Sequence, residues 1–89
     1  METSTITSTI SEFIEREFLF RDPDVELELD TNLIKTGIVD SVGILRLVSF
    51  LENEFDLTFA PTEVRPENLS SLNAMTRFIG ARLDDRSSA

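Results

Sequence analysis

Eighty-nine residues with 40% hydrophobic content and seven Phe make one small domain with a single core; at this size folding buries roughly 60–65% of the unfolded chain's surface. With no Cys and no His, the chain has no disulfide framework, no thiolate metal site and no Ser-His-Asp triad. Seventeen acids against eight bases give a net charge of −9, which excludes the clustered basic surface that nucleic-acid binding needs and favours protein partners with basic patches, or simple solubility. The first ten residues carry an acid and four threonines instead of a basic stretch leading into an apolar run, so no signal peptide is expected. No stretch is long enough to span a bilayer, and the chain reads as soluble and cytoplasmic, without a membrane partner.

Ile6, Ile10, Phe13, Ile14 and Phe18 recur at helical spacing and predict an amphipathic first helix ending near Phe18. A capping box from Thr9 and Glu12 would exclude Ile6, so its start is open by a turn. Pro23 disfavours helix at Asp22 and ends the element. Val25, Leu27 and Leu29 alternate with Glu26, Glu28 and Asp30 as in a half-buried strand, but with no ladder partner the segment is read as part of a long loop. Leu33, Ile34, Ile38 and Val39 can anchor that loop, and Gly37 supplies a sharp turn before Asp40.

A second helix is expected from Ser41 to Phe55, with Ile44, Leu47, Val48, Leu51 and Phe55 on its core face. Leu57 and Phe59 should plug the bundle's end. Pro61 and Pro66 bracket about one helical turn. Ser70 or Ser71 can cap a last helix in which Leu72, Met75, Ile79 and Leu83 share a face, followed by a polar tail from Asp84 to Ala89. The fold class is all-α: a small four-helix bundle of three main helices and a short third one, folded over about residues 5–83.

Asp40-Ser41 is the feature that carries function. Asp40 takes the N-cap position and Ser41 opens the helix, where unpaired N–H groups and the positive end of the helix dipole favour a phosphate ester. The serine has no visible means of activation. A Ser-Lys pair would need Lys35, the sole lysine, buried beside it; Gly-x-Ser-x-Gly is only half present; and Glu26, Glu28 and Asp30 lack the glycine loop of a calcium site. No catalytic residue or metal site is assigned, and Ser41 reads either as a helix cap or as a site that another enzyme modifies. Val42, Leu45 and Ser49 form a stripe away from the core face, so Val42 and Leu45 can be exposed beside Ser41 as a docking surface.

The run Leu33-x3-Gly37-Ile38-Val39-Asp40-Ser41-Val42-x2-Leu45-x2-Val48-x2-Leu51-Glu52-x2-Phe55 resembles the phosphopantetheine-attachment segment of the acyl carrier and peptidyl carrier protein family. The resemblance extends from about Ile10 to Ile79, and Phe50-Leu51-Glu52-x-Glu54-Phe55 is similar to small stand-alone carriers that work with adenylating ligases. It implies that Ser41 receives 4′-phosphopantetheine from coenzyme A through a phosphopantetheinyl transferase, and that Asp40 is read by that transferase. It further implies that the arm's thiol carries an acyl or aminoacyl thioester. Partners would be the transferase, an acyl- or aminoacyl-adenylating ligase and downstream acyl-using enzymes, docking on Asp40, Val42, Leu45, Arg46 and Ser49. Carriers of the fatty-acid type usually have acids where this chain has Gly43 and Arg46, which favours a specialised biosynthetic pathway. The competing reading is an unmodified acidic helical interaction domain.

Overall fold

The structure, a computed structural model, describes residues 2–22 and 24–88. Four α-helices form a small bundle: α1 (Thr3–Phe18), α2 (Ser41–Phe55), α3 (Pro66–Leu69) and α4 (Leu72–Ser88), with a 3₁₀ turn at Pro61–Glu63. No strand occurs among the described residues. The core contains Ile6, Ile10, Phe13 and Ile14 of α1, Leu47, Leu51 and Phe55 of α2, and Leu72, Met75 and Ile79 of α4. Ile44, Val48 and Leu83 pack against that core without full burial.

Ile6 decides where α1 begins. The carbonyl of Glu2 accepts the N–H groups of Thr5 and Ile6, both at 3.1 Å, so the helix opens at Thr3 and no Thr9–Glu12 capping box forms. Starting there brings Ile6 into the core at 1% exposure, which a start at Thr9 would forfeit. Thr7 joins α1 to α4 through a 2.8 Å hydroxyl contact with buried Thr76. Since Thr7 Oγ1 already donates to the Thr3 carbonyl, Thr76 is the donor in that pair. The helix ends at Phe18, with buried Leu19 folded in behind it; Pro23, expected to stop it, lies outside the described residues.

The long connection is held by anchors instead of a ladder. Leu33 and Val39 are buried, Ile34 and Ile38 half-buried, and the Val39 N–H donates to the Leu33 carbonyl at 3.0 Å. Two bonds fasten the segment, one to the end of α3 and one to α4: Leu33 N–H to Ser70 O at 2.7 Å and Asn73 N–H to Leu29 O at 3.0 Å. Of the alternating residues, Leu27 packs on the core while Val25 and Leu29 stay exposed. Gly37 takes φ +81°, the left-handed conformation that a side chain disfavours.

The one helical turn expected between Pro61 and Pro66 is present, as a 3₁₀ turn, and the short third helix lies just beyond it. Pro61–Glu63 forms a 3₁₀ turn, Arg65 returns to extended backbone, and the α-helical turn follows Pro66. Proline fits the first position of each turn because no intrahelical acceptor awaits its missing N–H. Ser71, not Ser70, caps α4 by accepting the Ala74 N–H at 3.1 Å. The helix also continues through Asp84 and Asp85 to Ser88, where a polar tail was expected. Asp84 and Asp85 are exposed, and their polarity does not oppose helix.

Candidate functional site

Asp40 and Ser41 meet at the first turn of α2. Asp40 is extended at φ −93° and ψ −173°, its carbonyl accepts the Ile44 N–H at 2.9 Å, and its Oδ1 accepts the Gly43 N–H at 2.7 Å. That is a complete N-cap, and it matches the role read from the sequence. Ser41 is the first helical residue, exposed, with no side-chain hydrogen bond among the described residues. Helix geometry leaves the N–H groups of Ser41 and Val42 without intrahelical acceptors. Lys35, the residue a Ser-Lys pair would need, is exposed in the preceding loop, where its own N–H donates to Asn32 Oδ1.

Below this turn a shallow groove runs between α2 and α1. Val42, Leu45, Arg46 and Ser49 line one side, with Phe13 and Glu17 opposite. Val42 and Leu45 are each 67% exposed, the two most exposed large apolar side chains of the described chain. Arg46 is not free: its Nη2 lies 2.9 Å from Glu17 Oε2, and its guanidinium sits 5.5 Å from the Phe18 ring centroid. Arg16 shares Glu17 at 3.9 Å. The groove therefore carries near-balanced charge on a strongly acidic chain. Phe13 and Phe50 stack at 3.9 Å with their planes 12° apart, which ties α1 to α2 beside it.

The structure thus brings together four of the residues singled out in the sequence, Val42, Leu45, Arg46 and Ser49, on one groove. It sets Asp40 and Ser41 at its end, on the capped turn. The other side of the groove comes from α1, through Phe13 and Glu17. The only sequence signal for it was the opposite charge of Glu17 and Arg46, 29 residues apart and without a known helix register. Glu26, Glu28 and Asp30 are all exposed, and no group of acids among the described residues is placed to hold a metal ion.

The family model described as "Phosphopantetheine attachment site" matches residues 4–79, which span α1 through most of α4. The chain belongs to that family of carriers. It is also similar to the D-alanyl carrier protein of Abiotrophia defectiva, 31% identical over 67 residues, covering 75% of this chain and 85% of that protein. A second relative is the D-alanyl carrier protein of Streptococcus mutans, 31% identical over 68 residues, covering 76% of this chain and 82% of that one. The corresponding protein of Lactococcus lactis subsp. cremoris is 29% identical over 58 residues, covering 65% and 73%.

The cofactor of such a carrier is covalently attached 4′-phosphopantetheine. The residues at the α2 turn fit it. A primary hydroxyl stands exposed and unengaged, at a helix end whose free N–H groups and dipole stabilise the negative charge of a phosphodiester. When bound, the group supplies a thiol that a chain without cysteine lacks, and on it an acyl group can be held as a thioester.

Proposed function

We propose that Ser41 is the attachment serine and that the chain carries an acyl or aminoacyl group between enzymes. The observation that supports this most directly is the unengaged Ser41 hydroxyl on the Asp40-capped turn, inside the segment that the family model matches. Ser41 Oγ would lose its proton to a base of the transferase and take the phosphopantetheinyl group from coenzyme A, with adenosine 3′,5′-bisphosphate leaving. The reaction needs no base on the carrier, which accords with a chain lacking histidine. Asp40 would have two roles, as helix cap and as an acidic contact for the transferase. Val42, Leu45, Arg46 and Ser49 would form the docking face. Names of the relatives support D-alanine as the first cargo to test, loaded by an adenylating ligase from ATP and the free amino acid.

Incubation with coenzyme A, magnesium and a broad-specificity phosphopantetheinyl transferase should add one arm, read by intact mass. Ser41→Ala should add none. No gain in the wild-type chain, or an equal gain in Ser41→Ala, would refute the assignment. The modified protein should then accept D-alanine from a D-alanine-adenylating ligase; loading by another acid but not by D-alanine would redirect the cargo and leave the carrier role intact.

A further inference from the structure

We propose that Gly43 is a positioning residue for Ser41: its missing side chain lets the Phe18 ring close on the first turn of α2 and so fixes where the serine hydroxyl is presented. The inference rests on Ser41 being the attachment serine. Gly43 is the third residue of α2, buried, in a position where glycine is a poorer helix former than alanine. A methyl group built on it would stand 2.8 Å from Phe18 Cε1, 3.2 Å from Asp40 Oδ1 and 3.3 Å from Val39 Cγ1. These three neighbours define the turn. Phe18 closes α1, Asp40 caps α2, and Val39 is the buried anchor just before the cap.

The Phe18 ring is half-buried and held on two sides. It lies edge-on to Phe13 at 5.9 Å and 78°, and under the Arg46 guanidinium at 5.5 Å, with Arg46 itself tethered to Glu17. An added methyl group presses on that ring, on the capping carboxylate and on Val39 together, and under the proposal the turn yields with them, along with the serine two residues before Gly43. Gly80 is the contrasting case, a helical glycine of α4 with no neighbouring element within 4 Å of where its methyl group would stand. A nucleophile shifted by a fraction of an ångström loses rate steeply, because the transfer depends on alignment with the attacked phosphorus.

The test is steady-state arm transfer from saturating coenzyme A, varying the carrier, with melting curves for each variant. Gly43→Ala should lower kcat about tenfold while KM stays within about twofold of wild type. Phe18→Leu alone should lower kcat about threefold by loosening the same contact, and adding it to Gly43→Ala should bring kcat back up to that level. Gly80→Ala should match wild type. A wild-type kcat in Gly43→Ala, or a deficit that Phe18→Leu does not relieve, overturns the proposal. Should Gly43→Ala melt below the assay temperature, Phe18→Leu alone decides, and an unchanged kcat there overturns it. A wild-type chain that takes no arm refutes the assignment of Ser41 instead.

Discussion

Removing the Asp40 carboxylate tests the turn on which the functional reading depends. In the folded chain Asp40 Oδ1 accepts the Gly43 N–H at 2.7 Å, a charge-assisted bond at the positive end of a fifteen-residue helix. Asp40→Ala leaves that N–H to water or to nothing. Gly43 is buried, so water reaches it poorly and the loss falls in the upper half of the N-cap range, about 1–2 kcal/mol. For a chain of this length each kcal/mol moves the melting midpoint by about 4–8 °C, so a fall of about 4–16 °C is expected by circular dichroism. Asp40→Asn keeps an acceptor oxygen and loses only the charge; its fall should be less than half as large. The pair separates the hydrogen bond from the dipole interaction. A melting midpoint for Asp40→Ala within about 1 °C of wild type would refute the view that this cap holds the first turn of α2.

Two further outcomes follow from other parts of the chain. Leu33→Ala should cost about 2–5 kcal/mol in chemical denaturation, because Leu33 is fully buried and its backbone ties the long loop both to Ser70 and to Val39; a cost below about 1 kcal/mol would show that the loop is not anchored there. Glu63 gives a pH signature. The Ala60 N–H, and then the Arg82 guanidinium at 2.7 Å, hold its carboxyl below its ordinary value of 4.5 against the opposing pull of burial. A carboxyl whose pKa is lower folded than unfolded stabilises above the unfolded value, and that contribution is lost as pH falls through the folded one. The difference in melting midpoint between wild type and Glu63→Gln should therefore be level near neutrality and shrink as pH drops below 4.5. A gap unchanged down to pH about 3 would contradict the shift.

The sequence by itself determined the parts of this protein that depend on near neighbours. Helical spacing placed Ile10, Phe13 and Ile14 inward on α1, and Leu47, Leu51 and Phe55 inward on α2. Asp40 followed by Ser41 marked the cap and the helix start to the residue, because capping is a contact across three positions. The exposure of Val42 and Leu45 followed from the same periodicity, since the core stripe lies on the far side of the helix. The lack of histidine and cysteine left no His- or Cys-based activation for Ser41, which is what turns the reading of the sequence from nucleophile to attachment point.

Tertiary structure decided what lies between elements. The partition of residues 61–69 into a 3₁₀ turn and a separate α-helical turn, the second with Leu69 in the core, is not set by the spacing of the two prolines. The bonds from Leu33 to Ser70 and from Asn73 to Leu29 join residues 37 and 44 positions apart, beyond any local pattern. The groove beside Ser41 needed α1 to dock with Phe13 against Phe50 and Glu17 against Arg46, a choice made by interlocking side chains in three dimensions. Gly43 is the clearest instance. In the sequence it is only a weak helix former; in the fold it is the gap that Phe18 fills, 2.8 Å from where a side chain would begin.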